Sequence, residues 1–291
     1  MEKRYKKLNI YYIPAVIIML LFVAYPLANA IYLSFFNWNG YSQSKEFFGI
    51  NNYISLVTDK NFLIALRNTL LYGFGSTFFQ QVIGLALALF LNTKFKGRKI
   101  VRTVIYMPAM VSGLVMGYIM YFFFQTNGGV INDILLFFGI DKVNWLGQAN
   151  TAIFAIIFVN VWQFVGISMV IYLAGMQGIS QSYIEAATID GANSWQLFRH
   201  IILPLLTPAL SSSVTFNLIG GLKLYDVIIA LTDGGPAKKS NSLATYIANR
   251  YFDAERAGYA AAVGVFSFVM IMVIAMIVNN YFRKKEKEVE I

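Results

Sequence analysis

This chain of 291 residues has no cysteine, a single histidine (His200) and six prolines. Without thiols it can hold no disulfide scaffold, no thiolate metal site and no cysteine nucleophile. One histidine cannot build a metal cluster alone. Charge is also scarce: 13% of residues are Asp, Glu, Lys or Arg, about half the roughly 25% usual in a soluble domain. What is present instead is apolar, 58% of the chain, with a mean hydropathy of +0.60. That balance excludes a disordered chain and argues against one water-soluble globule. It is the composition of a polytopic membrane protein.

A membrane-crossing helix needs about 20 mostly apolar residues, because each adds about 1.5 Å against a hydrocarbon core of about 30 Å. Six charge-free runs are long enough: 8–44, 68–93, 103–132, 143–184, 201–222 and 257–282. Asn37-Trp38-Asn39-Gly40 and Asn127-Gly128-Gly129 mark where apolar helix gives way to loop. The pattern predicts spans near 11–35, 69–92, 104–124, 151–174, 201–224 and 259–282. Six spans put both termini on one side. If that side is the cytoplasm, its segments hold 14 of the 23 basic and 6 of the 14 acidic residues, a net +8 against +1 outside. The positive-inside rule therefore predicts cytoplasmic termini. Topology accounts for most of the net charge of +9, so nucleic acid is not needed to explain it. The first span has a basic start and a small-residue triplet, Ala28-Asn29-Ala30, like a signal peptide, but its apolar run continues to Phe36. An uncleaved anchor is the expectation.

Several chemistries are missing. There is no G-x-x-x-x-G-K-[ST] phosphate loop; Gly97-Arg98-Lys99 is the nearest fragment and lacks the spacing. Ion-coupled carriers place ionisable groups inside the bundle. Here Lys223 and Asp226, at the outer end of the fifth span, are the near candidates. Three apart on a helix, they could pair on one face; they equally fit a snorkelling pair at the interface. No hydrolase constellation is visible. These absences favour a pore or permease driven by something else.

The segment 180–208 reads SQSYIEAATIDGANSWQLFRHIILPLLTP. Ser182 and Glu185 fit a capping box that would start a helix near Tyr183. Gly191 can leave that helix in a left-handed conformation, and Asn193 or Ser194 can cap a second short helix through Arg199 or His200. The predicted architecture is helix, elbow, helix, membrane. Small residues (Ala186, Ala187, Gly191, Ala192) let a backbone approach a groove, while Ile184, Ile189, Trp195, Leu197 and Phe198 supply apolar contacts. The residues alone fit either an elbow that receives force from a soluble partner or an interfacial amphipathic loop.

EAATIDGANSWQLFRHIILPLL closely resembles the EAA motif of permease subunits in bacterial binding-protein-dependent ABC importers. The carbohydrate branch has E-A-A-x-x-D-G-A followed by F-x-x-I-x-L-P. Glu185, Ala186, Ala187, Asp190, Gly191, Ala192, Phe198, Ile201, Leu203 and Pro204 meet every fixed position. Residues 47–70, 94–120 and 222–236 also resemble sugar permeases, the last resembling the first permease of the pair, related to the larger permease of maltose importers. The long extra region of that maltose subunit is lacking.

The resemblance implies an all-α, six-span type I importer fold. It divides into a tail, first span and outer loop (1–66), a permease core (67–282, with coupling segment 180–204) and a basic tail (283–291). It implies that Glu185, Ala186, Ala187, Asp190 and Gly191 form a coupling helix docking on an ATPase. It implies as partners a second homologous permease, two ATP-binding subunits and an extracytoplasmic solute-binding protein. The chain itself would be no enzyme and hold no cofactor, ATP and Mg²⁺ being bound by the partner. The expected location is the bacterial cytoplasmic membrane.

A sugar path needs amides, hydroxyls and aromatic faces. Candidates are Trp162, Gln163, Thr215, Asn217, Tyr225 and Asp226, with Gln80, Gln81 and Ser112 weaker. Each of these also fits helix packing or interfacial anchoring. Asp233, Gly234, Gly235 and Pro236 form either a docking surface for the binding protein or a plain connecting turn. Gly113 and Gly117 read as close helix packing, and His200 as interfacial. The alternatives are an importer of this class with another solute, such as glycerol phosphate or a polyamine, or an ion-coupled carrier.

Overall fold

The computed structural model describes the backbone of residues 2–289 and the side chains of residues 11–288. The side chains of the basic residues at 3–7 and the last two positions of the predicted basic tail lie outside the described residues. The chain forms two compact units, residues 1–63 with 246–270, and residues 64–245 with 271–291.

In the first unit, α1 (Tyr11–Leu33) is a 23-residue apolar helix with no buried residue. Beyond it, β1 (Phe36–Asn37) pairs antiparallel with β2 (Glu46–Phe47), Phe36 opposite Phe47. The pair leads into α2 (Asn51–Thr58). Buried Asn52 ties this turn down, its Nδ2 donating to the carbonyls of Ser34 at 2.9 Å and Phe36 at 3.0 Å. Gly258 lies so close that a Cβ there would sit 1.9 Å from the Phe36 oxygen. Only glycine fits at that crossing.

The second unit is built on α3 (Lys60–Asn92), from residue 64 onward, and α7 (Ala149–Gln177). They approach through small residues: a Cβ on Gly84 would fall 2.6 Å from that of Ser168. Between them in sequence come α4 (Arg98–Tyr106), α5 (Gly113–Phe124) and α6 (Val130–Phe137). After α7 follow α8 (Gln181–Ile189), α9 (Ser194–Leu205), α10 (Thr207–Leu222) and α11 (Asp226–Thr232). The last elements are α12 (Leu243–Ala248) and α13 (Ala257–Val289). One apolar core joins Met120 and Phe124 to Ile156 and Ile228; a second joins Leu91 to Met169, Tyr172 and Leu206.

Among the described residues, four helices are long and apolar enough to cross a membrane unbroken, and up to six spans result if each of two bent pairs counts as one. Those bends correct the third and fifth predicted spans. The helix Arg98–Met110 turns by 102° into α5, because Val111 and Ser112 are extended (ψ 138° and 139°) just after Pro108. The predicted continuous span 104–124 is thus two helices. The predicted span 201–224 joins the end of α9 to α10 across a 67° bend, flanked by Pro204 and Pro208, neither of which has an N–H to donate. Hydropathy registers apolarity, and each bend carries only one uncharged polar residue, Ser112 or Thr207, too little to interrupt an apolar run. The G-x-x-x-G pair does pack closely: a Cβ on Gly113 would meet Asp226 Cβ at 3.2 Å, and one on Gly117 would meet Ala230 Cβ at 2.6 Å.

Candidate functional site

The elbow between α7 and α10 is held at both caps. Ser180, with extended backbone, precedes α8 and accepts from Ser182 N at 3.4 Å, so the helix starts at Gln181. The Ser182–Glu185 box near Tyr183 is therefore not the cap; Ser180, two residues earlier, takes that place. At the other end Gly191 has φ +82°, its N–H reaches the Thr188 carbonyl at 3.1 Å, and Ala192 N reaches the Ala187 carbonyl at 2.9 Å. These two bonds form a Schellman motif, which favours glycine in the left-handed position. Asn193 then caps α9 reciprocally: its Oδ1 accepts from Gln196 N and Gln196 Oε1 accepts from Asn193 N, both at 2.9 Å. The elbow is thus a fixed corner.

Its surface is open. Glu185, Ala186, Asp190 and Gly191 are exposed and Ala187 is half-buried. Ile189 is 86% exposed at the tip and Trp195 64% exposed beside it, tilted against Phe198 at 5.8 Å between ring centroids. A Cβ on Gly191 would meet nothing within 4 Å. His200 is exposed, its Nδ1 3.1 Å from the Gln196 carbonyl.

The path candidates divide into two sets. Trp162 is exposed on the same face of α7 as Phe154 and Phe158, each four residues apart. Tyr225 and Asp226 are exposed around the start of α11, and Thr215 is half-buried. Gln163 and Asn217 instead give their amides to the protein. Gln163 Nε2 donates to the Val111 carbonyl at 2.8 Å, satisfying the backbone at the bend before α5, while its Oε1 has no partner. Asn217 Nδ2 donates to Ser168 Oγ at 2.8 Å and the Ser213 carbonyl at 3.0 Å. Gln80 is likewise bonded to Asn160 across the α3–α7 contact, and Gln81 to Tyr172.

Lys223 and Asp226 are not on one helix. The chain breaks over residues 223–225 between α10 and α11, and among the described residues no ion pair joins the two side chains. The sequence spacing suggested a pair because it assumed unbroken helix.

The turn at 233–236 is anchored from within. Asp233 (φ +48°) pairs with Lys238 at 3.2 Å in solvent, and a Cβ on Gly234 (φ +75°) would collide with Asn241 Oδ1. Ser240 binds the carbonyls of Gly234 (through its N, 3.0 Å) and Gly235 (through its Oγ, 2.6 Å). The following residues are tied to the start of α3: Asn68 Nδ2 donates to the Lys239 and Asn241 carbonyls, Tyr72 Oη to the Ser240 carbonyl, and Leu243 N to Thr69 Oγ1. Sequence reasoning missed Asn68, Thr69 and Tyr72. Their signal was a polar trio at helical spacing at the head of an apolar run.

Also missed is a clasp in the first unit. Asp59 Oδ2 accepts from Tyr246 Oη at 2.5 Å, Tyr259 Oη at 2.9 Å and Arg250 at 3.4 Å. Burial alone would raise the Asp59 carboxyl, but the bonds from Tyr246, Tyr259 and the Asn61 N–H, with the Arg250 charge, hold it below the ordinary carboxylate range.

Residues 80–288 match the family described as "Binding-protein-dependent transport system inner membrane component". The chain belongs to this family. Among relatives, the multiple sugar-binding transport system permease protein MsmF of Streptococcus mutans is 35% identical over 272 residues, 93% of each chain. The trehalose/maltose transport system permease protein MalF of Thermococcus litoralis is 30% identical, over 89% of this chain and 88% of that one. A chain of a bacterial alginate ABC transporter, crystallised with an alginate pentasaccharide-bound periplasmic protein, matches with a TM-score of 0.84 and 27% identity, covering 98% of this chain and 96% of that one. The chain is thus a permease with the type I ABC importer fold, a membrane-embedded transport subunit and not an ATPase.

Proposed function

We propose that this permease subunit carries a sugar or oligosaccharide inward across a bacterial cytoplasmic membrane by alternating access, with both termini in the cytoplasm. A second homologous permease, two ATP-binding subunits and an extracytoplasmic solute-binding protein complete the transporter; ATP and Mg²⁺ are held by the ATP-binding subunits. The sugar assignment is supported by the relatives' cargoes, and the orientation by the basic residues of the predicted inner segments.

The observation that carries the reading is the elbow. Glu185, Ala186, Ala187, Asp190 and Gly191 sit on a corner fixed by four hydrogen bonds, with an exposed apolar tip at Ile189 and open space above Gly191. A rigid knob passes on displacement where a flexible loop would absorb it. Closure of the ATPases moves the knob; α9 then drives α10 through the bend at Leu206, and α10 carries Thr215 and Asn217. Trp162, Thr215, Tyr225 and Asp226 meet the solute, the indole offering a face to sugar C–H groups and the others hydrogen bonds. Gln163 and Asn217 hold the helices that present them. The turn Asp233, Gly234, Gly235 and Pro236, fixed from below, presents a firm outer surface to the binding protein.

The test is a mild-detergent pull-down of tagged protein with uptake measured in parallel. A second permease and an ATPase are expected with the native chain, and neither ATPase nor uptake with Gly191→Asp. Native-level uptake by that variant, or a chain purified without an ATPase whose uptake survives ATP depletion, would overturn the reading.

A further inference from the structure

The predicted spans end at 124 and resume at 151, leaving the segment 125–148 between them. Its helix α6 has its polarity the wrong way round for water. Asn132 is fully buried, its Nδ2 donating to the carbonyls of Gln125, Thr126 and Val143, and its Oδ1 accepting from Val143 N and Trp145 Nε1. On the opposite side of the helix, by its 3.6-residue period, stand Val130, Ile134 and Phe137, all exposed. Phe137 is 85% exposed and Phe138 71%, with Ile140 exposed beyond them. A helix lying in water hides its phenylalanines and shows its amide.

We infer that residues 130–140 lie in the membrane surface, with Ile134, Phe137, Phe138 and Ile140 in the acyl layer. Three further observations support a lipid occupant. First, the segment cannot lift away, because Asn132 bonds it to Gln125 and Thr126, directly after membrane helix α5, and to Val143 and Trp145, just before α7. Second, the seven residues 134–140 contain no polar side chain to satisfy in the acyl layer. Asp133 before them and Asp141 and Lys142 after them are exposed and mark the return to water. Third, Trp145 lies at the same end, its ring 5.8 Å from Phe124 and 6.2 Å from Phe154, as an interfacial aromatic would. The segment is an interfacial helix pinned to two spans, and this holds for either leaflet.

The absence of native cysteine allows a direct test. Single Phe137→Cys, Ile134→Cys, Ile140→Cys and Lys142→Cys chains, assembled with cysteine-free partners in lipid nanodiscs, would carry a nitroxide. Collisions with oxygen, enriched among acyl chains, are compared with those of a water-soluble nickel chelate. The expectation is a several-fold excess of oxygen over nickel at 134, 137 and 140, reversed at 142. Nickel dominating at 137 and 140 would show an aqueous loop, and low collision with both reagents would show a covering protein. Either outcome overturns the inference without touching the importer assignment. Because positions 137 and 142 are exposed, their substitution removes only a surface ring contact with Phe138 and a bond from Lys142 to Asn127, and an unfolded chain would admit nickel at every site.

Discussion

Glycine serves two different ends in the two functional regions of this molecule. In the bundle it makes room: a Cβ at Gly166 would lie 2.5 Å from the Ile105 carbonyl oxygen, and one at Gly84 or Gly117 would fall 2.6 Å from a neighbouring Cβ. At the elbow it makes a conformation, φ +82° at Gly191, with nothing within 4 Å to collide with. The bundle needs its glycines in order to assemble. The elbow needs its glycine only to turn, and keeps the space above it free for something else. Close packing makes the bundle move as bodies, and under the proposed function the open knob is where those bodies are pushed.

The sharpest way to break this comparison is to fill both spaces. Gly166→Val puts a branched side chain against backbone that cannot rotate away. We expect a loss of about 3 kcal/mol or more and little monodisperse protein on size exclusion. Gly191→Asp is the counterpart. It meets only the cost of a left-handed backbone, about 1–2 kcal/mol, so the protein should insert and purify normally. Uptake should nevertheless fall to background. If Gly191→Asp proved as destructive to purification as Gly166→Val, the contrast between room and conformation would be gone.

The same contrast explains what the sequence made legible. The four unbroken spans, the elbow with Gly191 as its turn, the Asn193 cap and the close contact at Gly113 and Gly117 all follow from local patterns: apolar length, cap residues and small residues one turn apart. The bends at Val111 and Leu206 do not, because the extended backbone at Val111 is stabilised by Gln163, 52 positions away. The ties from Asn68 and Tyr72 to the loop at 239–241 span about 170 positions, and the Asp59 clasp nearly 200. Of the site, the elbow could be read since its hydrogen bonds run between residues at most five apart. Which path residues stay exposed could not, because an amide facing a solute and an amide satisfying a broken helix have identical sequence signatures.

Asn132 tests whether a polar hub can fix a region as firmly as glycine packing does. Asn132→Leu keeps the volume but strands the Val143 and Trp145 N–H donors. A loss of about 2–3 kcal/mol is expected from those unpaired groups. It should appear as a lower melting temperature and as new protease cleavage confined to 125–148. An unchanged cleavage pattern would mean that the helix is held by its apolar face alone.

The smallest expected effect concerns Asp59, which joins its unit by charge instead of close contact. Its folded pKa is lowered, so its contribution to stability is fully present above the unfolded value of about 3.9 and is lost as pH falls through the lower folded value. The native chain should therefore lose stability below about pH 4 in part through this one carboxyl. Asp59→Asn keeps an oxygen for the hydroxyls of Tyr246 and Tyr259 but gives up the charge facing Arg250, with an expected cost of about 1 kcal/mol at neutral pH. The difference between native and variant melting temperatures should shrink as pH drops, because protonation removes from the native chain the charge that the substitution has already removed. A difference that stayed constant across that range would mean that the carboxylate's shape holds the clasp and its charge does not. Gly166 and Asp59 would then share one rule, in which fit governs both units and pH governs neither.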